Sequence, residues 1–146
     1  MEFAELVGKV FVSIEVNDNK DEISFVDDQG KKYLMYHSQD CCETVEIESI
    51  VGDLTDLLCV PILKAEEATS DETPDGALLD YEPESQTWTF YKLATIKGYV
   101  DIRWFGSSNG YYSEGVSFTE IVKKEPKDDW KRAQLLEAIS TYKFIQ

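Results

Sequence analysis

A two-residue alternation of apolar and polar side chains runs through most of this chain and limits what it can become. In TVEIES, Val45 and Ile47 fall on one side and Glu46 and Glu48 on the other. In YVDIRWF, Val100, Ile102 and Trp104 oppose Tyr99, Asp101, Arg103 and Phe105. Successive residues of a strand point to opposite faces, so this pattern buries one face of a sheet and leaves the other available. Val10, Val12, Ile14 and Val16 repeat it near the start. EISFV and KYLMYH flank DDQGK, which reads as a hairpin turn with Gly30 where positive φ is wanted. ILKAEEAT predicts another strand. TWTFYKLATI, YVDIRWF and GVSFTEIV predict a three-stranded antiparallel meander, turned at KG and at GSSNGYYSE.

Helical signals are fewer. EFAELVG predicts a short helical turn closed by Gly8. GDLTDLLCVP predicts a short helix or turn with Asp53 as N-cap and Pro61 as stop. Over residues 129–142, Trp130, Ala133, Leu136 and Ile139 recur every three residues, with Leu135 beside them, which is a helical stripe. Residues 70–86 are acidic, aperiodic and broken by two prolines, and predict a long loop. The expected fold class is α+β: one domain over residues 1–146 dominated by an antiparallel sheet. Its core spans residues 9–122, with a short N-terminal helical turn and a C-terminal helix, 129–142, packed on the sheet or on a partner.

At 146 residues the chain is long enough to bury a core without staples. Its opening, MEFAELVGKV, lacks a basic stretch followed by a long apolar run, and no apolar run approaches a membrane span. The expectation is a soluble cytoplasmic protein with no signal peptide and no membrane contact. Charge narrows the partners further. Between Asp40 and Glu84 stand fourteen acids and one base, Lys64, so this segment carries −13 of the net −15. Such a field repels nucleic acid and anionic membranes and attracts basic protein surfaces.

The stretch HSQDCCE, residues 37–43, gathers the single histidine, two of the three cysteines and two acids. His37, Asp40, Cys41 and Cys42 are zinc-ligand types, with Cys59 as a conceivable addition. Adjacent cysteines, however, chelate one tetrahedral ion badly, so no metal and no cofactor are expected. Three cysteines argue for reduced thiols, and alternation along a strand would point Cys41 and Cys42 to opposite faces, ill placed to bond each other. A Cys–His nucleophile needs hydrogen-bond contact that an extended segment denies. The expected role is structural: one cysteine in the core, the other under a loop, and the Asp40 carboxylate capping backbone N–H groups. No G-x-S-x-G elbow, P-loop or G-x-G-x-x-G occurs, and DETPDG lacks the ligand spacing of a calcium loop. No catalytic residues are assigned and a non-enzymatic protein is expected.

From about residue 30 to 122 the chain resembles a family of small proteins encoded by phages and prophages of Gram-positive bacteria. HSQDCCE, VEIESIVGDLTDLL, PILKAEE and TWTFYKLATIKGYVDIRWFGSSNGYYSE carry the resemblance. It implies a genomic setting and no activity. Joined to the charge, it gives the expectation of an anti-CRISPR-like inhibitor. Such a protein would bind a basic, nucleic-acid-handling host or defence protein through Glu46, Glu48, Asp53, Asp56, Glu66 and Glu67. Same-face strand acids stand roughly 6.6 to 6.8 Å apart, close to the spacing of successive phosphates. An alternative is a sponge for a nucleotide-type signal built from Trp88, Arg103, Tyr111 and Tyr112, with Arg on phosphate and aromatics on the base. The ordinary reading of that face pairs Arg103 with Asp101 or an acid on the next strand. A third is a structural phage accessory protein.

Overall fold

A computed structural model of the chain describes residues 2–77, 79 and 81–121. Among the described residues eight strands form: β1 Phe11–Val16, β2 Glu22–Asp27, β3 Lys32–Tyr36, β4 Thr44–Val51, β5 Lys64–Ser70, β6 Ser85–Thr95, β7 Gly98–Ser108 and β8 Ser117–Ile121. They make two antiparallel four-stranded sheets, ordered β1-β2-β3-β8 and β4-β7-β6-β5. One buried cluster draws on both: Phe11, Phe25, Tyr33, Met35 and Phe118 from the first, Ile47, Tyr91, Leu93, Ile102 and Trp104 from the second. This is sheet packed on sheet, with alternate residues buried most regularly along β2, β3 and the first half of β4.

Two expectations are corrected here. The α+β class gives way to an antiparallel β architecture. The helical pieces among the described residues are two four-residue 3-10 turns, Phe3–Leu6 and Leu54–Leu57. The expected helix 129–142 lies outside the described residues. The meander also fails as a unit, because β8 leaves β6 and β7 and pairs with β3, Leu34 opposite Thr119 and Met35 opposite Phe118. The reason is topological: β7 already has β6 on one side and β4 on the other, so no edge is left for β8.

Other expectations hold. The β2–β3 hairpin forms, with Gly30 at φ +81. Val45 and Ile47 point inward while Glu46 and Glu48 are exposed. Asp53 caps its 3-10 turn, accepting the Thr55 N–H at 2.9 Å. In β1 the alternation slips. A register shift between Phe11 and Ser13 turns Phe11 and Ile14 toward the core and leaves Val12 49% exposed. An inserted residue of this kind reverses the facing that simple alternation assigns. Among the described residues no helix is long and apolar enough to cross a membrane.

Gly52, just past β4, has φ +104, and a Cβ there would collide with the Tyr99 carbonyl oxygen. Gly52→Ala combines a disfavoured backbone conformation with that collision. Denaturant unfolding should show a loss of about 2 kcal/mol or more.

Candidate functional site

The bend between β3 and β4 is built around Glu43. Its side chain is fully buried, and the neighbouring His37 side chain is 4% exposed. Glu43 Oε2 accepts the Asp40 N–H at 3.1 Å and faces His37 Nε2 at 2.8 Å. Its Oε1 accepts the Cys41 N–H at 2.8 Å and the Gln39 side-chain amide at 3.0 Å. Burial by itself pushes this carboxyl up. The Cys41 N–H, the His37 ring and the Asp40 N–H outweigh it and hold Glu43 down to about 2 from an ordinary 4.5. The other ring nitrogen, His37 Nδ1, meets the Gly115 carbonyl at 2.6 Å, so the ring faces an acceptor at both nitrogens. With both nitrogens engaged inside the bend, neither is presented to a nucleophile or a metal in this arrangement.

The capping expected of Asp40 is therefore performed by Glu43. The cysteine expectation is also corrected: Cys41 and Cys42 are joined in a disulfide, and both residues are exposed. The strand argument that separated them does not apply, because residues 37–43 bend around a carboxylate instead of running extended. Cys59 is a free, exposed thiol.

A second buried carboxylate, Glu114, sits in the β7–β8 connection. It accepts hydroxyl hydrogen bonds from Thr87 at 2.8 Å, Ser108 at 2.5 Å and Ser85 at 3.3 Å. Neither Glu43 nor Glu114 is singled out by the sequence pattern, although each is an acid standing just ahead of a strand after a connection rich in small polar residues.

On the outer face of the β4-β7-β6-β5 sheet, Arg103 Nε donates to Glu48 Oε2 at 2.5 Å, and its guanidinium lies 5.4 Å from the Trp88 ring. The arginine beside Glu48 holds that carboxyl below its usual range. Trp88 is buried against Phe105 with ring centroids 4.6 Å apart. Its indole N–H donates to Gln86 Oε1 at 3.1 Å, which also accepts the Thr73 hydroxyl at 3.0 Å. Tyr81 and Ser107 share a hydrogen bond of 3.0 Å at the same end of the face. Tyr111 and Tyr112 pack edge-on to each other beyond the end of β7, with Tyr111 82% exposed. Five residues of strand separate Arg103 from Ser108, roughly 16 Å. The structure thus joins Trp88 to Arg103, with the cation already neutralised, and leaves the tyrosines apart from them.

The remaining acids divide between the two edges of that sheet. Glu46 and Glu48 lie on β4, Glu66 and Glu67 on β5, with β7 and β6 between them. Three inter-strand spacings make this about 14 Å. Asp53 is committed to Thr55, whose hydroxyl and N–H hold its carboxyl down. Asp56 lies against Gly98 at the β6–β7 turn. Glu66 has Lys64 at 3.6 Å, and Glu67 accepts the buried Tyr91 hydroxyl at 3.2 Å.

A domain of unknown function, DUF7448, matches residues 4–118. The chain belongs to the DUF7448 family. No curated protein and no solved structure matches it. The DUF7448 match opens inside the first 3-10 turn and closes in β8, so it takes in both sheets, the Glu43 bend and the Glu114 connection.

Because Glu43 is depressed when folded, the stability it adds is present above its ordinary value of 4.5 and is lost as pH falls toward 2. Glu43→Gln should melt below the native protein at neutral pH. That gap should narrow through this acid window in melts recorded by circular dichroism. A gap independent of pH would show that the glutamine costs packing alone.

Proposed function

We propose that this DUF7448 protein is a non-enzymatic binding protein that captures a basic, nucleic-acid-handling partner by presenting carboxylates where phosphates would lie. A phage-encoded inhibitor of a host or antiphage-defence protein is the setting that best suits it. The supporting observation is the state of the acids. Among the described residues, only Glu43, Glu48, Glu66 and Glu120 lie within ion-pair distance of a base. Residues 1–121 hold 25 acids against eight bases, so most of this charge faces outward uncompensated. A field of one sign steers an oppositely charged partner and raises its association rate.

The geometry narrows how mimicry would work. A row made from Glu46 and Glu48 is weakened because Glu48 is spent on Arg103. Glu66 and Glu67 offer more. They stand exposed on an edge strand, and the lysine near Glu66 is itself solvent-exposed, where an ion pair is worth little.

Capture of basic proteins from host lysate should be salt-sensitive and displaced by added duplex DNA, since both would compete for one partner surface. Reversing Glu66 and Glu67 to lysine should weaken binding to the captured protein by roughly tenfold or more. Reversing Glu15 and Glu22, exposed in the other sheet, changes the net charge equally and should leave binding nearly intact. Reversing Glu15 and Glu22 should alter stability by no more than about 0.5 kcal/mol, whereas reversing Glu66 and Glu67 should cost about 1 to 3 kcal/mol, because the buried Tyr91 hydroxyl loses its acceptor at Glu67. Equal losses from both pairs would reduce the effect to bulk charge, and no loss from either would remove carboxylate mimicry.

A further inference from the structure

The two sheets have four outer edges, and they are treated differently. β1 is covered: Cys59 N–H donates to the Phe11 carbonyl at 2.8 Å and Ile62 N–H to the Lys9 carbonyl at 2.9 Å. β4 is blocked by the tip of the β1–β2 hairpin, where Ile47 N–H donates to the Lys20 carbonyl at 2.7 Å. β8 is five residues long and runs into the chain beyond 121. β5 is different. It is seven residues long, about 23 Å of strand. Its outward main-chain groups have no backbone partner among the described residues. Beyond Ala65, residues 66–69 are exposed on both faces of the strand.

A groove of about 510 Å³ runs along this edge. One wall is the first 3-10 turn with Glu2, Phe3 and Ala4; the other is β5 from Ala65 to Thr69. Phe3 anchors the turn, its ring 4.7 Å from Tyr91 and 5.3 Å from Phe118. The groove therefore offers a strand-length row of main-chain donors and acceptors, small side chains at Ala4, Ala65 and Ala68, and carboxylates at Glu2, Glu66 and Glu67. An exposed edge recruits another strand unless charge forbids it. Here the charge forbids a second copy of the same acidic edge and admits its opposite.

We propose that the open edge of β5 takes an extended, lysine- or arginine-rich segment of a partner as a fifth strand of the β4-β7-β6-β5 sheet. Main-chain pairing supplies affinity in this mode, and side chains on alternate positions supply selection. This rests on the reading above that the partner is basic, and it adds the mode and place of contact. Basic residues two apart on the incoming strand would share one face at roughly 6.6 to 6.8 Å.

The test uses the full chain and two synthetic peptides of alternating lysine and threonine. One is unmodified; the other is N-methylated at alternate residues, which keeps the charge and removes the pairing N–H groups. The unmodified peptide should bind at least about tenfold more tightly and should slow amide hydrogen exchange in residues 64–70. Glu66→Lys should weaken it, and Glu15→Lys should not. Equal binding of both peptides without β5 protection would overturn strand addition while leaving carboxylate capture standing. Failure of both peptides to bind would overturn both readings. If β5 amides are already slow without peptide and this protection grows with protein concentration, a second copy is the occupant and the proposal falls. It also falls if Lys123→Glu with Lys124→Glu strengthens peptide binding, since the chain's own tail would then be the competitor.

Discussion

Face-to-face burial of two sheets is the constraint from which the rest of this structure follows. Phe11, Phe25, Tyr33 and Phe118 on one inner face pack in a network of edge and stacked contacts. From the opposite face Trp104 sends its indole N–H to the Met35 sulfur at 3.3 Å. Side chains of this size bury on the order of 150 to 250 Å² each and dominate a core. Once they are enclosed, every connection at the ends of the sandwich must satisfy its own backbone. At two of these connections a buried carboxylate organises the polar groups, backbone in one case and side chain in the other. Glu43 gathers the N–H groups of the β3–β4 bend, and Glu114 gathers three hydroxyls where β6, β7 and the β7–β8 connection meet.

The strands were legible because half-buried sheets leave a period of two in the residues. Val45 and Ile47, and Val100, Ile102 and Trp104, declare their inward face without reference to anything distant. Periodicity states which face a residue takes and is silent on which strand lies beside it. Periodicity therefore leaves β8 beside its sequence neighbours, whereas its partner is β3. The same limit explains Glu43. The oddity of HSQDCCE is visible locally, yet its organisation depends on a carbonyl 78 residues away, at Gly115. The cysteine expectation failed for a related reason, since alternation was applied to a segment that bends.

Acidic composition alone did not distinguish spent carboxylates from available ones. Glu48 and Asp53 looked equivalent to Glu66 along the chain, but one is held by Arg103 and the other by Thr55. Their neighbours convert them into parts of the scaffold. What remains is not a continuous row. It is two groups on opposite edges of one sheet, and these edges differ in whether their main chain is already engaged.

The enclosure of His37 has a further consequence for how the protein meets its surroundings. It is the chain's single histidine, and histidine is the side chain whose ordinary titration falls between about pH 5 and 8. With that ring sequestered, the exterior is dominated by carboxylates and ammonium groups, whose usual ionisation lies well outside this interval. Over the described residues, the electrostatic face shown to a partner is therefore nearly constant across that interval. It acts there as a fixed potential.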